Sequence, residues 1–308
     1  MGLFSQDAAL ILALTLAFDL IIGEPPSRLH PVVWMGSVIK LVFARAPRQG
    51  RKRQLGYGAL AALALPAAAA ASAVALASLD LPHYLLVGLS AFLLKSSFAL
   101  GGLGKAAEQV RTPLMRGDLC EARRGLSHLC SRDSHDLSAE EVAGAAIESI
   151  AENTGDSFVA PVFYFLLFGL PGALAYRCLN TLDSTVGYRD RYEYLGKVSA
   201  RLDDLANLIP ARVSALLFLL VSPLHDADGK QGVRIWRRDR ARTASPNAGH
   251  PMAMMAGLLG LCLEKRQDYR LGDATRPADP ERIDQAWSIA SMAMALFAFG
   301  AIGGCLVA

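Results

Sequence analysis

The most constraining feature of the sequence is a set of long apolar runs that lack charged residues. Gly58 to Leu79 and Ser288 to Ala308 contain no Asp, Glu, Lys or Arg. Each run provides roughly the 20 residues that an α-helix needs to cross a bilayer. Phe158 to Tyr176 is also uncharged, and Tyr84 to Leu103 carries only Lys95. These four runs predict an all-α, polytopic integral membrane protein.

Two shorter apolar runs raise the expected number of membrane helices from four to as many as six. Ala8 to Ile22 carries Asp19, and Leu205 to Leu224 carries Arg212. A charged side chain at membrane depth is costly and usually faces a cavity or a partner. Asp19, Lys95 and Arg212 are therefore candidates for function or ion pairing. The alternative is that their side chains extend from a helix end to the membrane surface.

The distribution of charge predicts the orientation of the chain. Hydrophobic residues make up 53% of its 308 residues and charged residues 19%, which is more apolar than an average soluble domain. Lys and Arg concentrate in residues 23–57, 104–157 and 225–287, and such basic loops face the cytoplasm. We expect one membrane-embedded domain over residues 1–308, with cytoplasmic loops at about 104–157 and 225–287. This segregated charge is not typical of a nucleic-acid-binding protein.

The segment from Arg177 to Asp204 does not fit simple alternation across the membrane. Alternation places it outside, yet it contains five Lys or Arg residues. One explanation is that Phe158 to Tyr176 turns back at Gly169 to Gly172 as a re-entrant pair of half-helices, which is tolerated where protein covers the backbone. A full crossing explains the hydropathy equally well, and both topologies stay open here.

An acidic helix precedes the third apolar run. Ser138 and Glu141 form a capping-box pattern that predicts a helix to about Asn153. Glu141, Glu148 and Glu152 fall on one face of this helix. Stacked carboxylates repel one another and require a cation, water or a metal. A solvated surface face is the alternative, but the sequence runs directly into Asp156 and then into apolar residues, which favours a site.

A second polar stretch runs from Asn180 to Asp190 and continues from Arg201 to Asn207. It contains Asp183, Asp203 and Asp204, and hard oxygen ligands of this kind suit Mg²⁺. It is too polar for a membrane span. A surface loop with ion pairs to Arg189 and Arg201 is the alternative.

Two further stretches carry polar residues next to prolines. Ser245 to Pro251 leads into an apolar helix predicted from Met252 to Leu263, with Pro251 at its first position. A helix N-terminus of this kind offers backbone N–H groups to an anion. Near the start of the chain, Asp19 and Glu24 precede His30.

Taken together and in this order, these stretches resemble the adenosylcobinamide-phosphate synthases of cobalamin biosynthesis, the CobD/CbiB family, along the whole chain. The motifs that carry the resemblance are Glu148 to Asn153 with Asp156, Asn180 to Tyr188, Arg201 to Asn207 with Pro210 and Arg212, and Ser245 to Gly249. His250 departs from the family pattern, in which Trp is frequent.

The resemblance implies a multi-pass enzyme of the bacterial inner membrane, with a cytoplasmic site. It implies a ligase that joins adenosylcobyric acid, a corrinoid, to aminopropanol phosphate, with ATP and Mg²⁺. Its partners would be membrane lipid and other membrane-bound enzymes of cobalamin assembly. Glu152, Asp156, Asp203 and Asp204 would hold the metal, and Glu148, Glu152 and Asp183 would be catalytic, with Glu148 or Asp183 as the base. The substrate-binding candidates are Asp19, Glu24, His30, Asn153, Asn180, Tyr188, Arg189, Arg201, Ser245, Asn247, Gly249 and His250, of which Arg189 and Arg201 would contact phosphate groups.

Two other function classes fit the same architecture. An intramembrane prenyltransferase also places Mg²⁺-binding acidic loops on membrane helices, but its paired Asp-rich motifs are lacking. A transporter or membrane sensor would line a pathway with Asp19, Lys95 and Arg212, and would be expected to show inverted repeats, which are not evident. The sequence has no Gly-rich phosphate loop, so it does not locate ATP.

Overall fold

A computed structural model describes residues 6–187 and 192–307 of the chain. The structure is 75% helical, which confirms the all-α prediction. The helices that are long and apolar enough to cross a membrane are Arg51–Ala77, His83–Met115, Ala139–Val186 and Pro280–Val307. Each contains most or all of one of the four uncharged or nearly uncharged runs, so hydropathy identified these spans correctly.

The chain divides into two compact units. The first comprises residues 1–99, 160–207 and 298–308. Its helices are α1 (Gln6–Ile21), α2 (Pro31–Ala44), α3 (Arg51–Ala77), α4 (His83–Ser96), α8 (Ala160–Val186) and α9 (Lys197–Ala206), together with the end of α13 (Pro280–Val307). Helix α8 packs against α2, α3, α4 and α9. Ile39, Phe43 and Leu182 are at the centre of a buried apolar cluster in this unit.

The second unit comprises residues 100–159 and 208–297. It contains helices α5 (Leu100–Met115), α6 (Leu119–Leu126), α7 (Ala139–Thr154), α10 (Leu208–Val221), α11 (Gly229–Asp239), α12 (Gly249–Leu259) and most of α13, a π-helical turn at Gly155–Val159, and strands β1 (Cys262–Lys265) and β2 (Tyr269–Gly272). Every residue of α12 is buried, and so is the run from Val142 to Ala151 in α7. A helix that is apolar on all sides belongs in a core, and α12 packs against α7, α10 and α11.

Helix α8 is longer than the sequence suggested. It continues to Val186, so Asn180 to Thr185 form its last turns, and the alternative of a surface loop is wrong for these residues. Its backbone is not helical at Gly169, where φ is 66° and ψ is −160°. Residues with a side chain avoid that conformation. The Gly169 to Gly172 segment thus contains a break in the helix, which a re-entrant turn requires and a kinked full crossing also accommodates.

The region after α12 also differs from the prediction of a helix over Met252 to Leu263. The helix starts at Gly249, so Pro251 is its third residue instead of its first. It ends at Gly260, whose left-handed conformation (φ 69°) terminates the helix. Leu263 then lies in a short antiparallel hairpin, paired with Leu271. The sequence contained no alternating pattern that would have revealed these four-residue strands.

The two marginal runs are both helical but are not long single helices. Gln6–Ile21 has only 16 residues. The run Leu205 to Leu224 is divided at Asn207 between the end of α9 and the start of α10.

Candidate functional site

Five polar side chains from the end of α8 and from α9 form what we call the Asp203 cluster: Asn180, Asp183, Asp203, Asp204 and Asn207. The two helices pack against each other. The amide of Asn207 donates to Oδ2 of Asp203 at 3.0 Å, and the hydroxyl of Tyr176 donates to Oδ1 of Asn207 at 2.8 Å. Asp203 and Asn207 are one helical turn apart, as the sequence indicated, and both are buried.

The Asp203 cluster carries several negative charges in a buried setting. Asp203 is only 9% exposed and interacts electrostatically with Asp183 and Asp204, while the side-chain amide of Asn180 approaches its carboxylate. Its Oδ1 atom is buried and accepts no hydrogen bond in the described part of the chain. Arg201 is exposed, and no salt bridge links it to Asp183 or Asp203 among the described residues. Ion pairs of Arg201 with these two aspartates are therefore not present, whereas Arg189, the other cation of the surface-loop alternative, lies outside the described residues.

Aromatic rings form one wall beside the Asp203 cluster. The ring of Tyr164 stacks on Tyr176 with centroids 5.1 Å apart and planes 12° from parallel. The Tyr164 hydroxyl donates to the carbonyl of Ala206 at 3.0 Å. Reasoning from sequence missed both tyrosines, because they lie inside an apolar run where an aromatic residue normally signals core. Tyr188 and Arg189, which the sequence assigned to substrate binding, lie outside the described residues.

A second polar group in the first unit surrounds Lys95. The Lys95 ammonium lies 2.9 Å from Asp19 and 2.8 Å from Glu24, and its side chain is 3% exposed. His30 Nδ1 accepts from the Val32 N–H at 3.3 Å at the start of α2, which leaves Nε2–H to donate to Glu24 at 3.2 Å. Burial acts in the opposite direction, but the hydrogen bonds from His30 and Lys95 hold the pKa of Glu24 below its ordinary value. The expectation that Asp19 and Lys95 find partners is confirmed.

In the second unit, Glu148 is the centre of a buried ion pair. The side chain of Arg132 pairs with the Glu148 carboxylate, which is almost fully buried, and the Tyr269 hydroxyl interacts with the same group. Burial lowers the pKa of Arg132, but the Glu148 charge outweighs it and raises that pKa. Burial, reinforced by the Glu148 charge, raises the pKa of Tyr269. The solvated-face alternative is wrong for Glu148.

The predicted acidic face therefore divides into residues with different partners. Glu141 pairs with Arg266 at 2.6 Å near the surface, whereas Glu148 pairs with Arg132. The sequence argument required a compensating cation for the stacked carboxylates but did not identify Arg132 or Tyr269. Arg132 lies in an irregular segment between α6 and α7, far from Glu148 in helical register, so periodicity could not link them.

At the end of α7 and in the π-helical turn that follows it, Glu152, Asn153 and Asp156 are all half-buried. The Asn153 amide donates to the Ser149 carbonyl at 2.9 Å, and its Oδ1 accepts from Ser157 at 3.1 Å. Asn153 is thus occupied by contacts within its own helix.

The start of α12 does not offer free N–H groups. Gly249 N–H donates to Thr243 Oγ1 at 3.1 Å, His250 N–H donates to the Asn247 carbonyl at 2.9 Å, and Pro251 has no N–H. The expectation that free backbone N–H groups at this helix N-terminus bind an anion is therefore wrong. Packing explains the glycine at position 249 instead, because a Cβ there would lie 2.3 Å from the Arg240 carbonyl oxygen.

His250 is buried beside Trp236, and Asn247 and Ser245 belong to the same turn. The Trp236 indole N–H donates to His250 Nδ1 at 3.1 Å, so the neutral ring carries its proton on Nε2. Burial and the positive charges of Arg212 and Arg240 lower the pKa of His250 to about 4. The Ser245 hydroxyl accepts from the Asn247 N–H at 3.2 Å, which shapes the turn. The contacts described for Ser245, Asn247, Gly249 and His250 are all within the protein. The assignment of these four residues to substrate binding stays a prediction.

A test of the predicted metal ligands gives a clear geometric result. In the described residues, no three or more His, Cys, Asp or Glu side chains come together in a way that could hold a metal ion. Glu152, Asp156, Asp203 and Asp204 therefore do not form a preassembled four-ligand centre. Mg²⁺ commonly uses only one or two carboxylates and takes its other ligands from water and substrate phosphates, so single carboxylates of this set stay candidates.

Comparisons with known proteins cover nearly the whole chain. The family model for the CobD/Cbib protein matches residues 12–296. "Cobalamin biosynthesis protein CobD" of Dehalococcoides mccartyi is 43% identical over 90% of this chain and 91% of its own length. "Probable cobalamin biosynthesis protein CobD" of Methanothermobacter thermautotrophicus is 40% identical over 98% and 99%. The Klebsiella pneumoniae protein with the Dehalococcoides protein's name is 38% identical over 91% and 93%. No solved structure matches the chain.

Proposed function

Because the chain belongs to the CobD/Cbib protein family, we propose that it is a membrane enzyme of cobalamin biosynthesis that forms an amide bond. Its substrates are adenosylcobyric acid and aminopropanol phosphate, and its product is adenosylcobinamide phosphate. The observation that carries the proposal is the match over residues 12–296, together with relatives named for cobalamin biosynthesis that cover nearly their full length.

The chemistry of amide formation explains why such an enzyme consumes ATP. A carboxylate does not condense with an amine in water at a useful equilibrium, so phosphoryl transfer from ATP first gives an acyl phosphate and ADP. The amine then attacks the carbonyl carbon, the C–N bond forms, and the C–O bond to phosphate breaks. Of the two protons that the ammonium group loses, one passes to a base and the other leaves with phosphate.

Individual carboxylates suit different parts of this reaction. Glu152 and Asp156 are half-buried carboxylates four residues apart in the second unit, and either fits a Mg²⁺ ion that arrives with ATP and offsets phosphate charge. Glu148 is held by Arg132, which favours a positioning role for it over that of a free base. Asp183 has no such cation among the described residues, and we assign the base to it.

The test is direct. Membranes that contain the chain are incubated with adenosylcobyric acid, aminopropanol phosphate and Mg-ATP, and the amide product is followed by chromatography and mass spectrometry. We expect product and ADP in equal amounts. Omission of aminopropanol phosphate is the control. A folded protein that forms no product under these conditions contradicts the proposal.

A further inference from the structure

Two carboxylates of the Asp203 cluster, the buried Asp203 and the half-buried Asp183, have no salt bridge within the described part of the protein. Asp183 and Asp203 interact with each other and with Asp204, and neither forms an ion pair with a Lys or Arg among residues 6–187 and 192–307. The neighbouring cation, Arg177, donates to Asn180 Oδ1 at 3.4 Å. A buried carboxylate without a counter-charge costs on the order of several kcal/mol, and a bound cation would offset that cost.

One oxygen identifies where that cation binds. Asp203 Oδ2 is occupied by Asn207, which Tyr176 holds in turn, whereas the buried Oδ1 accepts no hydrogen bond within the described chain. The amide and phenol thus fix the carboxylate in one orientation and leave the other oxygen open. Oδ1 of Asp203 is therefore positioned to accept a hydrogen bond from a bound ligand.

The geometry favours an organic ammonium group over a metal ion. A Mg²⁺ ion held by only one or two carboxylates depends on water and substrate phosphates for its other ligands, and the described residues contain no group of three such side chains. A primary ammonium requires only acceptors at about 2.8 Å and compensating negative charge. Asp183 and Asp203 supply both.

We propose that Asp203 and Asp183 form the binding site for the primary ammonium group of the amine substrate. This inference rests on the proposed function for the identity of that substrate, aminopropanol phosphate. It changes the interpretation of Asp203 from metal ligand to amine ligand. It also assigns Tyr176 and Asn207 as positioning residues that orient the Asp203 carboxylate.

The experiment compares wild type with Asp203→Asn and Asp183→Asn in detergent. Each variant keeps the side-chain shape and removes one charge. In Asp203→Asn we expect the KM for aminopropanol phosphate to rise by about tenfold to a hundredfold, the loss typical of a charge-assisted hydrogen bond, while the KM for adenosylcobyric acid stays within about twofold. Asp183→Asn should also lose turnover, because Asp183 is the assigned base, so its amine affinity is taken from direct binding. Glu193→Gln, an exposed carboxylate in the same unit, is the matched control and should leave all constants unchanged.

Direct binding separates failure of this inference from failure of the proposed function. Calorimetry with 1-amino-2-propanol as probe should give binding to wild type and weaker binding to either Asn variant, with no binding of 1,2-propanediol, which lacks the amine. Amine binding that both variants lose supports the site even if no amide is formed. Unchanged KM and binding for the amine in variants that elute as folded protein overturn it. A raised Mg²⁺ requirement with an unchanged amine KM also overturns it, in favour of a metal site.

Discussion

At the scale of single residues, the buried Lys95 holds two carboxylates of the first unit together. Its ammonium bridges Asp19 and Glu24 at 2.9 Å and 2.8 Å from a side chain that is 3% exposed. An ion at this depth is retained only where partners compensate for its lost hydration. The sequence could indicate that Lys95 needs a partner, but not which one, because 71 residues separate it from Glu24.

Replacement of Lys95 should therefore destabilise the protein strongly. In Lys95→Met the apolar stem is kept and the charge is lost, so two carboxylates lose their shared cation. We expect a loss of about 3–5 kcal/mol in the free energy of unfolding, as is found when one partner of a buried pair is removed. Denaturant unfolding in detergent measures it. Lys105→Met, at an exposed position, is the control, and equal losses in the two variants would contradict the argument.

His250 makes a separate prediction about pH. Its pKa in the folded protein is about 4, below the ordinary value of about 6.5. The unfolded chain therefore takes up a proton between these values while the folded chain does not. The contribution of His250 to stability is complete above about pH 6.5 and is lost as the pH falls toward 4.

We expect His250→Asn to lose less stability than wild type between pH 6.5 and 4, because Asn does not titrate and its oxygen can still accept from Trp236. Thermal unfolding at a series of pH values gives the comparison. His128→Asn, at an exposed position, serves as the control, because it removes a histidine at the protein surface. Parallel pH profiles for wild type and His250→Asn would show that His250 is protonated as readily in the folded state as in the unfolded state.

At the scale of elements, local signals and long-range packing differ in what they reveal. The capping box is present as predicted, with Ser138 Oγ accepting from the Glu141 N–H and Glu141 Oε2 accepting from the Ser138 N–H. Such a pattern lies within four residues and depends only on local geometry. By contrast, the N-terminus of α12 and the following hairpin depend on contacts with α11, and the sequence did not predict them.

The contact between α11 and α12 provides an element-scale prediction. A Cβ on Gly257 would lie 2.8 Å from both the Gln231 carbonyl oxygen and the Gly232 Cα. These are backbone atoms, so the helices themselves must move apart. We expect Gly257→Ala to cost about 1–3 kcal/mol of stability, the range found for overpacking.

The matched control is Gly300→Ala in α13, where an added Cβ meets nothing within 4 Å. An alanine there should be neutral or slightly stabilising, because glycine has the lower helix propensity. Thermal unfolding of both variants in the same detergent makes the comparison. If Gly257→Ala unfolds at the same temperature as Gly300→Ala, the close approach of the two helices is not essential.

At the scale of the whole molecule, hydropathy predicted the four long helices because length and absence of charge are sufficient for that inference. Charge counting alone did not determine the side on which Arg177 to Asp204 lies. The helical break at Gly169 fits a re-entrant turn as well as a kinked crossing. The question bears on the proposed function, since that reaction would use ATP from the cytoplasm and the Asp203 cluster belongs to this segment.

Sidedness can be measured with single cysteines. We expect Ser184→Cys, at an exposed position near the end of α8, to be labelled by a membrane-impermeant maleimide from the cytoplasmic side, as the native Cys120 should be. The reason is that five Lys or Arg residues lie between 177 and 204, and such loops are retained in the cytoplasm. Ser78→Cys, in the link without basic residues before α4, should be labelled only from the opposite side.

Each variant is made in a chain whose other cysteines are replaced by serine, and labelling is compared between intact spheroplasts and inside-out vesicles. Labelling of Ser184→Cys together with Cys120 places Arg177 to Asp204 where ATP is available, as the re-entrant reading of Gly169 requires. Labelling together with Ser78→Cys shows a full crossing instead. The acidic cluster would then face away from ATP, and the amide ligation proposed for it would have to be abandoned.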